Sequence, residues 1–307
     1  MESWLEASGA ITKCEAINTG VINRVFEAAE CRQRADMQMR NSSILKAYWS
    51  DRRSYDLPHY QREDLGLYVR YTPLRSNADG VICFTNTPEH EIKNEIQKQC
   101  DYFRDKGLSF EWKVYDFDQP SNLIQRLLEH GFEQGEEEAL MVYDLGIAPP
   151  QAEKEIAGIS IREVSSPEDL SAIVAIQETI WNRSFPWLKD QLLATKDSTA
   201  YFCAFDDELP VGAGWIEHPE GSLFAELHGG SVHPEYRGRG IYSELFRHRL
   251  EYAKKKSIPY ISVDAAPMSR PILERKGFTK LCSTYPLTKK NADQVGGYNS
   301  GGCAPSG

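Results

Sequence analysis

The chain has 307 residues, with 35 Lys and Arg against 45 Asp and Glu and a formal net charge of −10. Hydrophobic residues make up 41% and charged residues 26%, which fits a globular chain with room for about two domains. The acidic balance excludes a general nucleic-acid binder, which would carry a basic face, and mildly favours cationic partners. No apolar run is long enough to span a membrane, and the opening MESWLEASGA lacks the basic and apolar regions of a signal peptide. The seven cysteines are Cys14, Cys31, Cys83, Cys100, Cys203, Cys282 and Cys303. They are scattered, odd in number and free of C-x-x-C, which fits a reducing cytoplasm better than a disulfide framework.

In chain order, residues 1–50 form a segment of uncertain fold with a helix expected from Ala35 to Trp49. Residues 51–147 read as an α/β unit. It has strands at Val81–Phe84, Trp112–Tyr115 and Leu140–Leu145, and a capped helix at Ser121–His130. Residues 148–157 carry Pro149-Pro150 among polar residues and read as a linker. Residues 158–290 form a second α/β unit. Ile159–Val164 alternates as a half-buried strand does. Ser166-Pro167-Glu168-Asp169 is a helix start, with a cap, a proline and two acids, and that helix runs to Trp181. A helix at Phe185–Ala194 follows, then strands at 199–206, 210–218 and 222–232. A helix at Ile241–Lys256, a strand at 259–264, a short helix at 268–276 and a strand from Phe278 complete the unit. The tail, 291–307, is rich in glycine and expected to be disordered.

The two units end alike. Leu127-Leu128-Glu129-His130-Gly131-Phe132 and Leu273-Glu274-Arg275-Lys276-Gly277-Phe278 both place a short helix and Gly-Phe between strands, which marks an internal repeat. The units differ at one junction. In the second, Val232-His233-Pro234-Glu235-Tyr236-Arg237-Gly238-Arg239-Gly240-Ile241-Tyr242 joins a strand to a helix. Glycines let that backbone turn tightly, and unpaired amides at the helix start favour an anion such as a pyrophosphate. Arg237 and Arg239 add charge. The matching turn of the first unit, Thr85-Asn86-Thr87-Pro88-Glu89-His90, has acids at Glu89 and Glu91 that would repel a phosphate.

On that junction and on Ile272–Phe278, the second unit resembles the GNAT superfamily of N-acyltransferases. The whole chain is similar to a tandem GNAT protein with a degenerate first half. The fold class implied is α/β (α+β): two GNAT-like domains, each a mixed, mostly antiparallel sheet flanked by helices. The resemblance implies acetyl-CoA as co-substrate, no metal and an amine as acceptor. Cofactor contacts fall to Ser231, Val232, Arg237, Gly238, Arg239, Gly240, Ile241, Tyr242 and Ser269. The backbone of Gly230–Val232 would take the thioester arm, with the Val232 amide polarising the acyl carbonyl. Tyr242 stands where the loop pattern has a small residue.

Amine acylation needs a proton acceptor, since the free amine is the nucleophile. Glu226 and His228 lie two apart, on one strand face. Either can be the base, and Glu226 can instead be a solvated carboxylate or an acceptor-binding anion. The family's acid tyrosine is matched by Leu273 and its earlier asparagine by Ala266. Ser269, Tyr242 and Tyr285 stand as alternatives, beside a water relay or direct thiolate release. Cys203 or Cys282 could carry an acyl group, although lone strand cysteines are usually buried hydrophobes. His228 and His233 lack metal-ligand spacing. Trp181, Phe185 and Trp187 line either the acceptor cleft or the core.

The reading is thus an acyl-CoA-dependent N-acyltransferase, with a CoA-binding pseudoenzyme as the alternative and a longer or aminoacyl donor as a variant. Small amines, amino acids, aminoglycoside-like compounds, protein amino termini and lysines all remain open as acceptors. The sequence is silent on oligomeric state.

Overall fold

The computed structural model describes residues 32, 35–57, 60–74, 78–147, 155–182, 184–186 and 188–291. The expected linker over 148–154, the tail beyond 291, Trp187, Cys14, Cys31 and Cys303 lie outside these. The chain divides into two units, residues 1–47 and 48–307. Of the first, the stretch 35–47 is helical.

The second unit opens with helical residues 48–53 (α1). Its first half then runs β1 (Tyr60–Asp64), β2 (Val69–Pro73), β3 (Gly80–Cys83), α2 (Glu89–Asp105), β4 (Phe110–Tyr115), α3 (Leu123–Glu129), β5 (Glu133–Gln134) and β6 (Glu138–Asp144). Its second half runs β7 (Ile159–Val164), α4 (Pro167–Trp181), α5 (Leu188–Ala194), β8 (Thr199–Asp206), β9 (Leu209–Glu217), β10 (Phe224–Val232), α6 (Ile241–Lys255), β11 (Tyr260–Ala265), α7 (Arg270–Lys276) and β12 (Thr279–Lys289).

Local chemistry accounts for the helix ends. The Ser166 hydroxyl accepts the Asp169 amide at 3.1 Å, with Pro167 in the first turn and two acids beside it. The repeated Gly-Phe pair is one device used twice. Gly131 and Gly277 take left-handed conformations, with φ of 77° and 102°. The next amide folds back onto the helix: Phe132 N–H donates to Leu127 O at 3.2 Å and Phe278 N–H to Leu273 O at 3.1 Å. Both phenylalanines are buried, so each helix is stopped and stapled to the core together.

Each half has the expected sheet, but the two sheets are one. The strand order is β1-β2-β3-β4-β12-β6-β11-β10-β9-β8-β7, with β5 paired to β12 off this path. The halves exchange their last strands. β6 pairs with β11 of the second half along its length, from Tyr260↔Asp144 to Ala265↔Ala139. β12 begins against β6 and then pairs with β4 of the first half, from Thr284↔Tyr115 to Lys289↔Phe110. The cores follow the exchange. Met141 and Tyr143 of β6 lie in the second-half core with Leu245, Phe246, Leu250 and Phe278. Leu287 of β12 lies in the first-half core with Ile96, Phe103, Phe110 and Trp112. Full burial of one such side chain contributes about 1.5–3 kcal/mol, so neither half holds its own core alone.

Candidate functional site: the parting of β10 and β11

β10 and β11 run parallel and pair only over Phe224–Glu226 against Tyr260–Ser262. Beyond that point they part, while β10 stays bonded to β9 through a bulge between His228 and Ser231. Gln177 of α4, which the sequence reading missed, pins the bulge. Its amide donates to Gly229 O at 2.8 Å, and the Ser231 hydroxyl donates to its carbonyl oxygen at 3.2 Å. The side chains of Ser231 and Val232 are buried, so these positions offer only backbone to the opening.

The loop that follows turns through Gly238 (φ 77°) and Gly240 (φ 96°), conformations that L side chains adopt at a cost. The first bonds of α6 run from the amides of Ser243 and Glu244 to Gly240 O, at 3.0 and 3.2 Å. The amides of Ile241 and Tyr242 precede them and sit at the positive end of the helix dipole. Glu244 would oppose an anion there, but it is buried against Arg247 Nε at 2.7 Å. Arg237 and Arg239 are exposed, and each makes one long bond at 3.3 Å, to Val232 O and Ala157 O. These features fit a ligand with a pyrophosphate at the helix start and an extended arm along β10.

The remaining cofactor and acid candidates scatter. The Ile241 side chain is core, leaving its amide. The Tyr242 ring does not fill the loop, because it lies against Gly230, where an added Cβ would come 3.0 Å from its Cε2. Ser269 is buried and its hydroxyl donates to Ala266 O at 3.0 Å. Tyr285 is on β12 opposite Val114 and packs on the first-half core. Leu273 is fully core. Burial pushes the thiol of Cys203 up to about 12 and raises that of Cys282 further, which suits neither to nucleophilic work at neutral pH. Phe185 packs on the α4–α5 core, and Trp181 Nε1 donates to Gln177 at 3.3 Å.

Glu226 and His228 do share a face, and the structure adds three partners. His228 Nε2 lies 4.0 Å from Glu226 Oε2 and 3.8 Å from Glu217 Oε2. Tyr55 donates its hydroxyl to Glu217 Oε1 at 2.5 Å. Arg52, buried to 4% exposure, reaches within 3.7 Å of Glu226 Oε2. Burial raises the Glu226 carboxyl, but Arg52, then His228 and Lys113, outweigh it and hold the group below the ordinary carboxylate range. Lys113 of β4 is fixed by Asp264 of β11 and lies 3.9 Å from Glu138 of β6. Beside the cluster is a cavity of about 400 Å³ bordered by Asp51, Tyr55, Asp56, Glu220 and Ser222. Tyr55 lines the cavity and bonds Glu217. Glu217 was legible in principle, since it faces Glu226 directly across the β9–β10 pair. Arg52 and Tyr55 are about 170 residues away in sequence and sit in no motif.

The first half closes the corresponding opening. Past the β3–β4 pairing, Asn86 and Gln119 form a parallel bridge, Gln119 N–H donates to Thr85 O at 3.1 Å and Thr87 N–H to Gln119 O at 3.0 Å. Glu89 stands in the first turn of α2, held by Asn122.

The site is thus an open parallel strand pair ending in an anion-suited helix start, beside a carboxylate–imidazole cluster. Residues 168–278 match the acetyltransferase (GNAT) family. Over 77 residues, 24% of this chain, the sequence is 35% identical to an uncharacterized N-acetyltransferase of Methanocaldococcus jannaschii, of which the match covers 32%. A GCN5-related N-acetyltransferase from Kribbella flavida superposes with a TM-score of 0.59 at 13% identity, over 82% of this chain and 95% of that one. A tandem GNAT protein from the clavulanic acid biosynthesis pathway does so with a TM-score of 0.57 at 12% identity, over 77% of this chain and 85% of that one. The match to the GNAT family spans residues 168–278, and the chain has the tandem GNAT fold.

Proposed function

We propose that the protein is an acyl-CoA-dependent N-acyltransferase that moves an acetyl group from acetyl-CoA to a cationic amine. The parting of β10 and β11 above the free amides of α6 carries this reading. When bound, acetyl-CoA supplies the activated acyl group. The loop amides of 237–242 hold its pyrophosphate, and the Val232 amide orients the acyl carbonyl. On the other side, Glu217, Glu226 and His228 draw the ammonium group and take its proton, directly or through water. Holding amine and thioester together removes much of the entropic cost of a bimolecular step. The acidic cavity at Asp51, Asp56 and Glu220 favours a cationic acceptor.

The test is release of CoA thiol from acetyl-CoA across a panel of small amines, amino acids and amino-terminal peptides. The proposal expects amine-dependent release that falls about 10²-fold or more in Glu226→Gln. A second reading, a CoA-binding protein without turnover, is favoured by Leu273, buried where a donor tyrosine would stand. It expects acetyl-CoA binding and no release with any amine.

A further inference from the structure

On the opposite face of β10 from Glu226 lies an arginine that the chemistry above does not use. Arg249 of α6 is 1% exposed. Its Nε donates to Leu245 O at 3.1 Å, and Nη1 makes a long bond of 3.5 Å to His228 O, at the start of the bulge. Its Nη2 has no hydrogen-bond partner. Among the described residues no carboxylate stands within ion-pair distance of it. Space for it is built into the sheet. A Cβ on Gly214 would come 3.0 Å from its Cζ, and one on Gly230 would come 3.4 Å from its Nη2. Two strands therefore give up side chains to lay a guanidinium flat behind the bulge. Burial lowers its affinity for a proton, with Tyr242 acting the other way.

A buried cation without a counter-ion costs several kcal/mol, and an apolar side chain of similar volume is usually better tolerated. An anion bound nearby would offset that cost. The adjacent features are the Gly230 backbone and the Tyr242 ring, which border the proposed acyl-CoA opening. We propose that Arg249 is the fixed counter-charge behind that opening. It favours the anionic cofactor through the field it casts across the bulge. Arg249 is thus a positioning residue, which need not touch the ligand. The inference rests on the proposed acyl-CoA site.

The test compares wild-type chain with Arg249→Met and Arg249→Lys by melting temperature without ligand and by calorimetric affinity for acetyl-CoA. Arg249→Met is expected to melt at or above the wild type, while its acetyl-CoA affinity falls about tenfold or more. Arg249→Lys, which keeps the charge, is expected to stay within about threefold of wild-type affinity. A Met variant that melts well below wild type or fails to fold makes Arg249 a structural brace and overturns the inference. So does a Met variant that binds as wild type does, or a Lys variant as weak as Met. Wild-type protein that binds no acetyl-CoA overturns the proposed function itself, and the two failures are told apart by that measurement.

Discussion

At the residue scale, the site turns on a buried ion pair. Arg52 and Glu226 are separated by 3.7 Å and by 174 positions in sequence. Removing one partner leaves the other buried and uncompensated, which typically costs about 3–5 kcal/mol. Arg52→Met and Glu226→Gln are each expected to destabilise strongly, and the double variant by clearly less than their sum, read from denaturant midpoints in a double-mutant cycle. Additive losses would show that the two groups do not depend on each other. The carboxyl of Glu226 sits below its ordinary range in the folded chain, so its contribution is present above the unfolded pKa and lost as pH falls through the folded one. Arg52→Met removes the largest lowering influence and is expected to bring that loss to higher pH.

At the element scale, most of the second half was legible in sequence. Ile159–Val164, Pro167–Trp181 and Thr199–Asp206 fall where alternation and cap chemistry place them. The Phe185–Ala194 helix begins instead at Leu188, with Phe185 left as a packing residue before it. β1 and β2 escaped notice, because β2 is buried at four of five positions and lacks alternation. The closed opening of the first half shows the reverse of the proposed cofactor loop, with one cost. Burial raises the Asp118 carboxyl to about 8, against the amides of Tyr115 and Thr85, which lower it. Folding thus binds a proton that the unfolded chain, titrating near about 4, releases earlier. Between these values the folded state holds more protons, so stability falls as pH rises. Asp118→Asn keeps an acceptor for the Tyr115 amide and abolishes that charge. It is expected to gain stability over wild type at pH 8 relative to pH 5, measured by urea midpoints. An unchanged difference would place the titration elsewhere, with Glu111, raised to about 7 mainly by burial, the next group to examine.

At the scale of the whole molecule, the exchange of β6 and β12 was not legible. Local pattern locates each strand but says nothing of which neighbour it takes, and both strands carry ordinary core residues. Its consequence is cooperativity. A fragment of residues 155–291 lacks β6, loses Met141 and Tyr143 from its core and leaves the edges of β11 and β12 unpaired. It is expected to be unfolded or aggregated by far-ultraviolet circular dichroism. The longer span 48–291 should melt in one calorimetric transition. A fragment that folds alone would show the halves to be independent. The exchange also explains how a first half with a closed opening stays useful: its β6 strand completes the sheet of the second half, and its Lys113 reaches Asp264 beside the site.

The central claim is a single acyl-CoA site, in the second half. Calorimetric titration of the wild-type chain with acetyl-CoA tests it most directly. One site per chain, lost when Gly240 is replaced by glutamate, is the result expected. Two sites per chain would mean that the first half is open after all, and no binding would contradict the account.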